Sequence, residues 1–178
     1  LVTSLVKLNE IKNMKRRIDL EVEKVDKDHH DHFLNGAIFK VKDLNNGQIT
    51  YLASGQLLIK GNDINEEYEI SKDESFENIV KVAKTDNFKE IILDIDDGVY
   101  YSRKINDDKV TKHIIKDGKA ILPDAIYGHS YEFNEIKAPT SYHKADKSMA
   151  YTVIANKDTD TVIFKFENKR IELPNTGV

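Results

Sequence analysis

The sequence predicts an all-β sandwich, and three observations carry that prediction. Short apolar–polar alternations recur along the chain, turn signals of the Asn-Gly and Asp-Gly kind separate them, and helical periodicity is confined to one stretch. The helix-bearing middle, about residues 48–110, then reads as an insertion on the sandwich scaffold.

Composition bounds the rest. At 178 residues the chain fits one domain of ordinary size, long enough to bury a real core. Hydrophobic residues make up 39% and charged residues 33%, with a net charge of −4, so the surface is well solvated and offers no basic footprint for nucleic acid. The cysteine count is zero, which excludes disulfides and thiolate metal sites as staples. No run of about 18 apolar residues is present, so no membrane span is expected, and the N-terminus lacks a signal-peptide layout. A start at Leu1 rather than Met suggests a piece of something longer.

Residues 1–17 are mixed in pattern and read as a linker or the remnant of a preceding module, followed by the sandwich over 18–172. Asn13-Met-Lys-Arg-Arg-Ile-Asp-Leu20 echoes Asn168-Lys-Arg-Ile-Glu-Leu173, as if one module closes where the next opens. From Ile18 the alternation is clear: Ile18, Leu20 and Val22 are apolar with acids between them, and the next position in the inward phase is Lys24. Polar residues ending in Asn35-Gly36 make a turn, Ala37 to Val41 return as a second strand, and Asp43 to Gly47 turn again.

The middle holds short strand candidates at 50–52, 57–60 and 68–70. Asp73 opens the expected helix, with Phe76, Ile79, Val80 and Ala83 at helical spacing as its packing stripe. Strands resume at 90–95 and 99–103 around Asp96-Asp97-Gly98, and at 110–115 and 119–122 around Asp117-Gly118. Residues 151–155 and 161–167 flank the last turn. Val162, Phe164 and Phe166 share a face there, and the next residue in that phase is Asn168.

The stretch Tyr131 to Tyr142, YEFNEIKAPTSY, has Tyr131, Phe133 and Glu135 on one face, which places a carboxylate where a core residue belongs. Such an acid must be paired or protonated. Three strands thus each continue an apolar face into one polar residue: Lys24, Glu135 and Asn168. An amine, a carboxylic acid and a carboxamide in one apolar core are the components of a self-made amide crosslink. Burial favours the neutral, nucleophilic amine, and the acid can hydrogen-bond the carboxamide oxygen and relay protons as ammonia leaves. The bland alternative is that all three are strand-end side chains reaching solvent, the usual fate of Lys, Glu and Asn.

The pattern Lys24-Val-Asp26, Leu34-Asn-Gly-Ala-Ile-Phe39, Tyr131-x-Phe-x-Glu135-x-x-Ala-Pro139-x-x-Tyr142 and Phe166-x-Asn168 resembles the Cna-B-type domains of Gram-positive surface adhesins and pilins. The resemblance covers roughly residues 18–47 and 111–172. It implies an inverse immunoglobulin-like β-sandwich with an intramolecular Lys–Asn isopeptide bond, in which Lys24 is the amine, Asn168 the amide and Glu135 the catalytic acid. Two departures stand out: Thr140-Ser141 replaces the usual residue–Gly pair before the tyrosine, and residues 48–110 exceed the compact family pattern.

Leu173-Pro174-Asn175-Thr176-Gly177 resembles the LPXTG sorting signal, which implies cleavage by sortase after Thr176 and transfer to peptidoglycan or a pilin lysine. Residues 173–178 are accordingly read as a sorting motif. Asp28-His29-His30-Asp31-His32 offers zinc-ligand chemistry without a second cluster and reads as a solvated turn, so neither a metal nor another cofactor is expected. Asp94 to Gly98 lacks calcium-loop spacing and reads as a hairpin turn. Gly98-Val-Tyr-Tyr101 echoes the strand before Glu135, but Arg103 and Lys104 stand where an acid is needed.

The expectation is a non-enzymatic, extracellular, wall-anchored stalk module. A Tyr-Pro-Lys-type pilin motif is missing, which favours an adhesin or a minor or basal pilin over a pilus backbone. Its partners would be sortase and peptidoglycan or another pilin subunit. The alternative is an adhesin domain that binds a host matrix protein or glycan through the 48–110 insertion.

Overall fold

The computed structural model describes residues 17–145, 147–154 and 161–173. Residues 1–16 of the expected linker, the turn 156–160 and the Pro174, Asn175, Thr176 and Gly177 part of the sorting motif lie outside the described residues, as do the side chains of Val162 and Phe164.

Within the described residues the chain is all-β. The strands are β1 (Arg17–Asp26), β2 (Ile38–Asp43), β3 (Ile49–Ala53), β4 (Leu57–Lys60), β5 (Glu67–Ser71), β6 (Ile79–Lys84) and β7 (Glu90–Leu93). They continue with β8 (Gly98–Lys104), β9 (Thr111–Ile115), β10 (Lys119–Ile126), β11 (Ser130–Lys137), β12 (Met149–Thr152) and β13 (Thr161–Asn168).

Two of the sheets make the sandwich. One has the order β10-β1-β13 and the other β12-β11-β2-β3. Their inner faces share one core in which Leu20, Val22 and Phe166 from the first sheet meet Phe39, Val41, Tyr131 and Phe133 from the second. These are the positions the period-two alternation assigns inward, because a strand can bury only every second side chain against a facing sheet. The first and last strands run side by side in parallel, with Lys24 opposite Phe166 and Asp26 opposite Asn168.

Between β3 and β10 the chain builds two smaller sheets, β4-β7 and β6-β5-β8-β9. They enclose a second core of Leu57, Ile59, Ile70, Ile91, Tyr100 and Ile115. A smaller cluster of Ile38, Ala53 and Leu58 joins this unit to the sandwich.

The expected helix after Asp73 is a turn followed by strand β6. The Asp73 carboxylate accepts hydrogen bonds from the Ser71 and Ser75 hydroxyls and from the Glu77 and Asn78 amides, closing a turn in which Phe76 takes a φ of 57°. The β-branched Ile79, Val80 and Val82 then pair antiparallel with β5, since such side chains lose rotamer freedom in a helix and fit a pleated strand. The helical stripe does not form a core face: Phe76 is buried beneath Arg103, while Ile79 and Val80 are 44% and 41% exposed.

Candidate functional site

Lys24, Glu135 and Asn168 meet at one end of the sandwich core. Each lies where its strand's inward phase places it, on three different strands from two sheets. Asn168 sits two residues beyond Phe166, the register partner of Lys24, so both side chains emerge on the same face of adjacent parallel strands. Glu135 comes from the facing sheet, opposite Phe39 of β2, just before the register shift at Ile136 that ends the regular pairing of β11. All three are buried, Lys24 completely. The solvent-reaching alternative does not hold.

The Lys24 Nζ lies 2.9 Å from Glu135 Oε2 and donates a hydrogen bond to the Phe166 carbonyl at 3.0 Å. Around the amine stand two rings, with Nζ 4.6 Å from the Phe166 centroid and 5.3 Å from that of Phe39. Those rings pack edge-to-face, 5.1 Å apart at 83°. Burial pushes the Lys24 ammonium below the ordinary lysine range, and the Glu135 carboxylate opposes that shift only in part. Burial therefore makes the neutral, nucleophilic form of the amine easier to reach than in a free lysine, while the adjacent carboxylate holds the ammonium.

The Asn168 carboxamide presents its nitrogen to the acid, where the sequence reading expected its oxygen. Its Nδ2 donates to Glu135 Oε1 at 2.5 Å and to the His143 carbonyl at 2.9 Å. The His143 acceptor sets this orientation, because a carboxamide oxygen turned toward that carbonyl would meet another acceptor. Asn168 Oδ1 is left buried without a donor among the described residues, an arrangement that costs about 1–3 kcal/mol. The Ala145 amide donates to Glu135 Oε1 at 2.9 Å, so the loop after β11 supplies backbone groups to both acid and amide.

These backbone contributions from His143 and Ala145 carry no side-chain signature and were invisible in the sequence. Tyr142 was visible as a pattern residue without a role. Its hydroxyl donates to the Asp26 carboxylate at 2.7 Å. At the Thr140-Ser141 departure the turn does form, with Ser141 in the left-handed region at φ 71°.

The remaining candidates fall elsewhere. The His29 and His32 rings lie 5.3 Å apart in the turn after β1, and no group of three metal-ligating side chains occurs among the described residues. Asp96, Asp97 and Gly98 lie in the turn leading into β8, where Lys104 pairs with Glu66. Leu173 of the sorting motif is described and is 86% exposed.

The described residues therefore form an all-β sandwich in which a buried Lys–Glu–Asn cluster spans the first and last strands. No family model matches the chain, and no curated protein matches it. Among solved structures it is similar to GBS52, the minor pilin of Streptococcus agalactiae, at 18% identity and a TM-score of 0.43 over 93% of this chain and 49% of that one. It is also similar to the shaft pilin SpaA of Lactobacillus rhamnosus GG, at 14% identity and a TM-score of 0.43 over 89% and 48%. A third is a C-terminal fragment of the pilus adhesin SpaC of Lactobacillus rhamnosus GG, at 14% identity and a TM-score of 0.40 over 90% and 47%. The chain thus spans about half the length of each of these chains, and at this level of likeness the site stands on its own geometry.

Proposed function

We propose that this chain is a structural stalk module of a Gram-positive surface adhesin or minor or basal pilin, sealed by a single-turnover Lys24–Asn168 isopeptide bond. The observation that carries the reading is the fully buried Lys24–Glu135 pair with the Asn168 carboxamide nitrogen held on the same carboxylate.

The geometry supports the following chemistry. Lys24 passes a proton to Glu135, and the freed amine attacks the Asn168 carbonyl carbon. One N–C bond forms and the carbon–Nδ2 bond breaks. Glu135, already on Nδ2, moves the proton from the attacking nitrogen to the leaving one, and ammonia departs with it. The neutral amide that remains removes a buried charge pair from the core, and nothing regenerates the starting state.

The mechanical purpose lies in the topology. Tension entering before Arg17 and leaving after Leu173 pulls on β1 and β13, and a bond between them carries the force past everything in between. By the chain-entropy argument for crosslinks, closing a loop of this size contributes about 4–5 kcal/mol, which suits an exported domain without cysteines. Sortase acting on Leu173 to Gly177 would join the module to peptidoglycan or another pilin subunit; the exposure of Leu173 supports access to that segment.

Intact-protein mass spectrometry tests the reading. The wild-type mass is expected one ammonia below the sequence mass, with the full mass restored in Lys24→Ala and Glu135→Ala. A wild-type mass equal to that of the sequence overturns it.

A further inference from the structure

The loop that follows β11 is held as a strap across the end of the core. Tyr142 forms an antiparallel bridge with Arg170, the His143 amide donates to the Lys169 carbonyl at 2.8 Å, and the Ile171 amide donates to the Ser141 carbonyl at 2.8 Å. Residues 141–143 are thereby paired to the segment that leaves β13. From this strap come the two backbone groups of the site: the His143 carbonyl that holds Asn168 Nδ2 and the Ala145 amide that holds Glu135 Oε1.

Among the described residues, a side-chain hydrogen bond ties the strap to the first strand. Asp26 follows Lys24 on the inward face of β1, is 3% exposed and stands opposite Asn168 in the register. Its Oδ1 accepts the Asp28 and His29 amides at 2.8 and 3.1 Å, which fixes the carboxylate, and its Oδ2 accepts the Tyr142 hydroxyl at 2.7 Å. Both partners register this bond. The Tyr142 hydroxyl and then the Asp28 amide hold the Asp26 carboxyl below its ordinary range, while Asp26 pushes the Tyr142 phenol above its own.

We propose that the Tyr142–Asp26 hydrogen bond is a clasp that positions Asn168 and Glu135 for amide transfer, acting through the strap residues His143 and Ala145. The inference rests on the crosslinking reading above. Tyr142 touches none of the reacting atoms in the contacts described, so it is a positioning residue. Its hydroxyl joins the strap to the strand that carries the nucleophile, and so couples all three reacting side chains to one frame. Without the clasp, the strap keeps its pairing with residues 169–171 and is tied to β1 only indirectly, through the β13 ladder that ends at Asn168. The His143 carbonyl then holds Nδ2 less firmly against Glu135, the group that delivers the proton to Nδ2 once Lys24 has protonated the carboxylate.

The test uses the whole chain with Tyr142→Phe, which keeps the ring and removes only the hydroxyl. In freshly translated protein, the time course of ammonia loss is followed by intact mass. Tyr142→Phe is expected to slow it at least about tenfold, the factor that loss of a hydrogen bond to a charged group brings. In a Lys24→Ala background, where no crosslink forms, adding Tyr142→Phe is expected to shift the Asn168 side-chain amide resonances and to reduce hydrogen-exchange protection of the Ala145 amide. These signals report the seat itself, and a merely structural role would leave them in place.

Ammonia loss at the wild-type rate in Tyr142→Phe, or unchanged Asn168 and Ala145 signals, overturns the clasp while leaving the crosslink standing. A wild-type chain that keeps its full mass overturns the crosslink and the clasp with it. If Tyr142→Phe fails to fold, Asp26→Asn removes the charged acceptor with the tyrosine in place and is judged by the same two readouts.

Discussion

Lys24 Nζ and Glu135 Oε2 lie 2.9 Å apart with both side chains wholly removed from solvent, on opposite sheets of the sandwich. A buried ion pair of this kind stabilises weakly at best, because desolvation of two charges offsets their attraction. Breaking one is severe. The pair by itself is therefore a weak brace, as expected of the starting state of the proposed crosslink.

That asymmetry orders the variants. Asn168→Ala removes the crosslink but keeps the ion pair, and is expected to lower stability by about 4–5 kcal/mol. Lys24→Ala removes the crosslink and also leaves the Glu135 carboxylate without its cation, adding about 3–5 kcal/mol. Guanidinium denaturation of the two variants should place the Lys24→Ala midpoint lower. The reverse order contradicts the assignment of the pair.

The crosslinking rate should depend on pH through Lys24. Burial lowers its folded-state value, so the amine becomes neutral at lower pH than a free lysine. Ammonia loss is then expected to accelerate as pH rises, with its midpoint below the ordinary lysine value of about 10.4. In the uncrosslinked Asn168→Ala variant the linkage has a matching sign. The unfolded chain binds the proton more tightly, so this group's contribution is present above the unfolded value and is lost as pH falls toward the folded one. Mass time courses and denaturation curves across this range check both.

Ser141 holds a left-handed conformation at φ 71° where the strap turns. An L side chain is strained there, so Ser141→Gly is expected to relieve the strain and stabilise the protein by about 0.5–1 kcal/mol, the gain being reduced by the flexibility glycine adds to the unfolded chain. Thermal unfolding of the variant measures this. A destabilised Ser141→Gly would show that the serine contributes something beyond its backbone.

His113 supplies a second pH effect away from the site. Burial pushes it down to about 4, while its ring nitrogen Nε2 meets the Ser102 hydroxyl at 2.7 Å. Between about 6.5 and 4 the unfolded chain binds the proton and the folded chain does not, so stability is full above pH 6.5 and falls on acidification. The slope within that window is about 1.4 kcal/mol per pH unit at most. Urea denaturation at pH 7 and pH 5 should show the loss, and His113→Gln should flatten it.

The sandwich was legible in the sequence because strand period and burial are one constraint: Leu20, Val22, Tyr131 and Phe133 are inward in phase and buried in fact. The helix after Asp73 was misread because Phe76, Ile79, Val80 and Ala83 satisfy helical spacing, while the competing signals, a carboxylate closing a turn and a β-branched run, are local chemistry that periodicity ignores.

The sequence by itself determined that Lys24, Glu135 and Asn168 each end an apolar strand face, since side-chain phase is set by residue spacing. Only the tertiary structure decided that the three meet, because the parallel pairing of β1 with β13 and the facing of β11 are relations between residues more than a hundred positions apart along the chain. It also decided which atom of Asn168 faces the acid. That choice belongs to the His143 carbonyl, a backbone group that every residue carries and that no sequence pattern can single out.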